Sequence, residues 1–221
     1  LGGRFREYVG IEIDAERAAS KDLPPTATLV HTCAFRHDGA GYAACIGNPP
    51  YVRHHDLAPA WRDLIAKRIG EATGEVVNRK CNLYVYFLFL ALLKARNDGL
   101  VAVLVPYEWV SRRAALPLRN YIKRKKWRVD TYRFSESIFT SVETTAAISV
   151  IDKRDTSGQW NFYSINRDGA TYQLPTATGT KRVPIQYSSR GDIWAMRGMS
   201  PGTQDVFTLT EGQRIHAGLT K

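Results

Sequence analysis

The sequence predicts an α/β protein built on a doubly wound, mostly parallel sheet. Three observations carry this. Short apolar runs rich in β-branched residues alternate with stretches of helical spacing; the run Leu100–Val105 is apolar at every position; and glycine, proline or acidic residues follow the runs directly. Alternating strands and helices are the pattern of crossovers between parallel strands, and a strand apolar throughout is expected to be covered on both faces.

In order along the chain, Tyr8–Ile13 reads as a strand running into acids, followed by a helical AERAAS segment and a loop at Pro24–Pro25. Ala43–Ile46 reads as a second strand, stopped by Gly47 and then by Pro49–Pro50, which cannot continue a sheet ladder. Ala60–Ile69 has helical spacing. Cys81–Arg96 reads as a longer helix, apolar around nearly its whole circumference and so buried on most sides, and Asn97–Asp98–Gly99 is expected to close it. Leu100–Val105 is the buried strand and Pro106 ends it. Ser111–Lys126 reads as helical, with Pro117 either kinking it or marking its true start. Arg128–Phe134 and Thr145–Ile151 read as two more strands. Beyond Asp152 the chain turns to short polar and aromatic pieces rich in Gly, Thr and Ser, so a second region is expected after residue 155.

The 221 residues carry 31 Lys+Arg against 21 Asp+Glu, a formal charge of +10. Such a chain attracts polyanions, nucleic acid above all. Its longest mainly apolar stretch, Leu83–Leu93, is far shorter than the ~20 residues that cross a bilayer, and no secretory leader opens the chain. Cys33, Cys45 and Cys81 are odd in number and widely separated, which indicates neither a disulfide framework nor a zinc site. A cytoplasmic location is expected, with no membrane partner and no metal. A start at Leu1 and an end at Lys221 without a stop signal read as a piece cut at both ends.

In an open parallel sheet, ligands sit outside the carboxyl ends of the strands. The first strand ends at Glu12, where a carboxylate offers two oxygens at the spacing of two ribose hydroxyls. The second ends in Ile46–Gly47–Asn48–Pro49–Pro50–Tyr51–Val52. An amino group on a nucleobase is a poor nucleophile because its lone pair is delocalised into the ring, and two acceptors on its two hydrogens localise that pair. Asn48 supplies a side-chain oxygen and Pro49 a main-chain carbonyl, while the consecutive prolines fix the loop and remove competing amide donors. Tyr51 offers a flat platform for a stacked base.

Through these residues the chain resembles the adenine-specific DNA methyltransferases of bacterial restriction-modification systems, of the class whose catalytic motif is NPPY. VGIEID (9–14) looks like their ribose-acid motif and IGNPPYV (46–52) like their catalytic loop. Residues 80–110 look like the helix, strand and Pro-aromatic turn that follow, and residues 134–153 like the later motif that supplies an aromatic on the second side of the base, at Phe139. Residues 198–210 are similar to the segment leading into a target-recognition domain.

The resemblance implies a Rossmann-like fold of the S-adenosylmethionine-dependent methyltransferase type. It implies methyl transfer from S-adenosylmethionine to the exocyclic amino group of adenine in duplex DNA, with a restriction nuclease or specificity subunit as possible further partners. Asn48, Pro49, Pro50 and Tyr51 would be catalytic; Tyr51 and Phe139 would hold the flipped base; Glu12, Phe35 and Asn48 would contact the cofactor. Residues 1–155 would form the catalytic domain, and 156–221 its end and the approach to target recognition. Arg53, His54 and His55, just past the loop, and Arg112 and Arg113, after the Pro-aromatic turn, are candidates for DNA contact. The basic run Lys123–Arg128 reads better as a solvated helix end, where cations are favoured, and Tyr84, Tyr86 and Phe87 read as core.

The chain departs from the family pattern at three points. Only eleven residues precede Glu12, too few for the glycine-rich first motif, so the fold is expected to be truncated at its N-terminus and this piece to bind cofactor poorly. Ala34 stands where an acid before Phe35 usually contacts the cofactor adenine, and Ala43 where an acid often precedes the catalytic loop. A protein glutamine methyltransferase, which shares the NPPY loop, and a DNA-binding subunit that keeps the fold without catalysis are the alternatives. A nicotinamide oxidoreductase rests on Glu12 alone.

Overall fold

A computed structural model describes residues 6–19, 23–135, 145–166 and 168–174. Phe139 and the segment 198–210 lie outside the described residues. Strand β1 (Tyr8–Glu12) is followed by the one-turn helix α1 (Ala15–Ala18) and by β2 (Ala27–His31), which pairs with β1 in parallel. Asp14 starts α1 by accepting from the amides of Glu16 and Arg17, both at 3.0 Å. These bonds, the one from Arg17 foremost, hold its carboxyl below the usual range. The sequence reading passed over β2: its five residues follow the Pro24–Pro25 break too closely for a periodic pattern to build up, and its pairing with β1 defines it.

Strand β3 (Tyr42–Gly47) leads through the proline loop to helices α2 (Pro59–Thr73) and α3 (Leu83–Lys94), and then to β4 (Ala95–Pro106), α4 (Leu116–Arg124), β5 (Arg128–Phe134), β6 (Ala146–Asp152), β7 (Trp160–Ile165) and β8 (Thr171–Gln173). The larger sheet has the order β3-β4-β6-β5-β7-β8. β3 and β4 are parallel, as are β5 and β7, while β6 runs against both β4 and β5, and β8 against β7. Four of the six strands therefore point one way, the mostly parallel α/β arrangement that the sequence predicts. The α4 crossover carries the chain past one strand position, and β6 fills that slot from the opposite direction. Because β7 pairs with β5, the sheet continues beyond residue 155.

Helix α2 opens with proline in its first turn, where the missing N–H is no loss, and ends at Gly74, whose φ of 75° is left-handed. It buries Ile65, Ile69 and Thr73 at four-residue spacing. Helix α3 buries Tyr84, Val85, Tyr86, Leu88, Phe89 and Leu92 around most of its circumference. These join Val101, Val103, Val105, Leu118, Ile122 and Val129 in one core, where each fully buried aliphatic side chain contributes about 1.5–3 kcal/mol.

Two local expectations are corrected. α3 stops at Lys94 rather than Arg96, and Asn97–Asp98–Gly99 lies inside β4 as an irregularity, with Tyr42 opposite Ala95 but Ala44 opposite Leu100. The stop is made by Lys153 at the end of β6. Its buried ammonium donates to the carbonyls of Leu92 (3.1 Å) and Ala95 (2.6 Å), groups a helix end leaves open. Gly99 fits the bulge because a Cβ there would lie 3.1 Å from the carbonyl oxygens of Arg96 and Tyr42. The second correction concerns Leu100–Val105. Val101, Val103 and Val105 are buried, but Ala102 and Leu104 are only half-buried, since the helical core packs on the valine face. Pro117 falls in the first turn of α4 and so marks its start.

Candidate active site

The loop after β3 exists because the ladder stops there. Gly47 is the last β3 residue paired with β4, opposite Val103, and two prolines follow. Asn48 is exposed, Pro49 buried and Pro50 exposed. Tyr51 turns back, and its hydroxyl donates to the carbonyl of Leu104 at 3.1 Å, one residue past the last rung. Its ring meets Tyr84 of α3 edge-on, with centroids 6.4 Å apart. Burial pushes the Tyr51 phenol above its ordinary pKa, so it stays a neutral donor at physiological pH. Further along, the carbonyl of Val52 accepts from the Leu83 amide (2.9 Å), and the His54 amide donates to Oδ1 of Asn82 (3.2 Å).

Beside the loop lies a cavity of about 700 Å³, lined by β1 from Tyr8 to Ile11, by β3, and by Asn48 and Pro49 themselves. That volume is within the usual range for a small-molecule site. Its wall from α3 is Phe87, Leu90, Ala91 and Lys94, a helical stripe at i, i+3, i+4 and i+7. Phe87, read as core from the sequence, is thus a wall residue, whereas Tyr84 and Tyr86 are core as expected. The stripe was present in the sequence, but a helix apolar all round hides it.

The other cofactor candidates lie next to this wall. Glu12 follows the lining residue Ile11, with its Oε1 accepting from the Asp14 amide at 2.9 Å. The ring of Phe35 packs edge-on against Trp61 and Phe87, with centroids 5.2 and 4.9 Å apart, so Phe35 supports Phe87 from behind. Ala34 does line the cavity. At its polar end, Nε2 of His37 meets the Tyr42 hydroxyl at 2.7 Å, and the Lys94 ammonium donates to the His37 carbonyl.

The turn after β4 carries Tyr107, Glu108, Trp109 and the two arginine candidates. Trp109 is fully buried, its indole N–H donating to Ser149 Oγ at 2.8 Å. Arg119 of α4 secures the turn by donating to the carbonyls of Trp109 (2.7 Å) and Arg112 (2.8 Å). Arg112 pairs with Glu108 at 2.6 Å, and Arg113 is exposed in a short 3-10 turn. Arg53 and His55 are exposed and His54 half-buried, all just past the proline loop. The run Lys123–Lys126 ends α4 immediately before β5 begins, at the opposite end of the sheet from these loops.

The fold is of the mostly parallel α/β kind, with an open cavity at the carboxyl end of β3. The chain is similar in fold to a putative class I S-adenosylmethionine-dependent methyltransferase from Listeria monocytogenes, with a TM-score of 0.52 and 13% identity over 72% of this chain and 49% of that one. It is also similar to the methyltransferase subunit of a type I restriction-modification system from Streptococcus thermophilus, with a TM-score of 0.50 and 15% identity over 65% and 31%. The Eco57I restriction-modification methylase family profile matches residues 11–139, more than half of the chain, and the chain belongs to that family. It is 26% identical over 181 residues to the type II methyltransferase M.XamI of Xanthomonas campestris pv. amaranthicola, covering 81% of this chain and 34% of that protein. It is 24% identical over 204 residues to M.AccI of Acinetobacter calcoaceticus, covering 76% and 37%. The chain thus spans about a third of the length of these relatives.

Proposed function

We propose that this chain belongs to an adenine-specific DNA methyltransferase that uses S-adenosylmethionine, with residues 1–155 in its catalytic domain and 156–221 forming the end of that domain and the approach to target recognition. The observation that carries the reading is the placement of Asn48 and Pro49: both line the cavity, at the end of a parallel strand, on a loop whose far side is fixed to β4 and α3. The cavity has the size and the apolar wall for the cofactor, which Phe87, Leu90, Ala91 and Asn48 would help to hold. The bound cofactor supplies an electrophilic methyl on a sulfonium.

The chain's own residues supply position and polarity. The Asn48 side-chain oxygen and the Pro49 carbonyl accept the two hydrogens of the adenine amino group, drawing its lone pair out of the ring and aiming it at the methyl. Tyr51, with its hydroxyl tied to Leu104, gives the flipped base a surface to stack on, and the family resemblance assigns its other side to Phe139. No strong base is needed, because the methylated amine sheds its proton readily. Arg53, His54, Arg112 and Arg113 flank the loop and contact phosphates, which makes binding salt-dependent. A restriction nuclease or specificity subunit is the expected further partner.

The test is tritium transfer from labelled S-adenosylmethionine into mixed-sequence duplex DNA, using the product of the complete reading frame, beside Asn48→Ala. Label on adenine that disappears in the variant while cofactor affinity stays within about threefold supports the reading. Label on a protein glutamine, or loss of cofactor binding in the variant, overturns it.

A further inference from the structure

We propose that the N-terminus of α3 is a two-point latch that sets the position of the catalytic loop, with Asn82 as a positioning residue for methyl transfer. The proposal rests on the reading of Asn48–Tyr51 as the catalytic loop. Asn82 occupies the position before the first turn of α3, with an extended backbone (φ −71°, ψ 158°), where asparagine ordinarily caps its own helix. It makes no such bond. Its Oδ1 accepts instead from the His54 amide at 3.2 Å, and the first amide of the helix, that of Leu83, donates to the Val52 carbonyl at 2.9 Å. Two groups that would normally serve the helix end are therefore both directed at the loop, on residues 52 and 54.

The consequence is geometric. On one side the loop is fixed where Gly47 pairs with Val103; on the other, the latch ties it to a helix whose next turns are locked in the core by Leu88, Phe89 and Leu92. Asn48 to Tyr51 lie between these two fixed points. Since a small misplacement of a reacting group costs far more rate than binding, loosening the second point should slow transfer while leaving the cavity and its cofactor affinity largely intact.

The two halves of the latch can be separated. Asn82→Ala removes the side-chain acceptor, whereas Asn82→Asp keeps one. Leu83→Pro removes the second donor at a helix position that tolerates proline, preceded by a backbone conformation suited to it; Leu83→Ala trims the side chain and keeps the N–H. Measured in the product of the complete reading frame, Asn82→Ala and Leu83→Pro are each expected to lower kcat roughly tenfold with cofactor Kd within about twofold, while Asn82→Asp and Leu83→Ala stay within about threefold of wild type. Amide hydrogen exchange across residues 48–55 should speed up in the first pair and not in the second.

Unchanged exchange in both Asn82→Ala and Leu83→Pro overturns the latch. So does full activity in both when Asn48→Ala is inactive in the same assay. Full activity of Asn48→Ala overturns the catalytic reading instead, and exchange still decides the latch.

Discussion

Tyr51 offers a sharp test because the structure divides its side chain into an anchor and a platform. The hydroxyl's bond to the Leu104 carbonyl is 3.1 Å long, beyond the ~2.7–2.8 Å typical of O–H···O pairs, so its net worth lies near the low end, about 0.5–1 kcal/mol. Tyr51→Phe loses that anchor but keeps the ring and its edge contact with Tyr84; kcat/KM for duplex DNA should fall about two- to fivefold. Tyr51→Ala also removes the stacking surface, worth about a further 1–3 kcal/mol, so the combined loss of about 1.5–4 kcal/mol should cost between about 10- and 900-fold. Steady-state transfer into duplex DNA, with cofactor affinity measured by calorimetry, reads both. A Tyr51→Phe variant as impaired as Tyr51→Ala would refute the division into anchor and platform. An alanine variant as active as wild type would remove Tyr51 from the site.

Ser149→Ala leaves the fully buried Trp109 indole N–H without its acceptor and should lower unfolding stability by about 1–3 kcal/mol in urea denaturation; a loss near zero would mean that the indole finds another partner. Arg119→Met removes the Nη1 group that donates to the carbonyls of both Trp109 and Arg112, and thermal unfolding should show a loss of about 1–3 kcal/mol. Burial pushes the Cys81 thiol up to about 12 from 9.0. Its stabilising effect is thus complete below about pH 9 and is lost as pH rises towards 12, reaching about 2 kcal/mol by pH 10.5. Denaturation of wild type and Cys81→Ala at pH 8 and 10.5 should show a smaller alkaline loss in the variant, and parallel losses would disprove the assignment. Ala34 lines the cavity, so Ala34→Asp should tighten cofactor binding roughly tenfold by restoring an acceptor for its amino group, as calorimetry can show.

The sequence by itself determined the α/β class, most of the strands and helices, and the loop Asn48–Tyr51. These depend on local properties: apolar runs of strand or helix length, and prolines that forbid a ladder whatever surrounds them. At Pro117 it left a kink or a helix start open, and the structure makes it a start, because proline is accepted in a first turn and disfavoured later.

Only the tertiary structure decided the rest. Strand β2 is defined by its partner β1 more than by its five residues, and the end of α3 by Lys153, 58 positions after Ala95 in sequence. Phe87 belongs to the cavity wall because of the direction in which α3 packs, which a helix apolar on all sides does not reveal. Asn82, within the stretch Cys81–Arg96 that reads as helix, gives no sign in the sequence of its bond to the His54 amide. Contacts between residues distant in sequence leave no periodic trace, and they are what fix the loop on which the proposed chemistry rests.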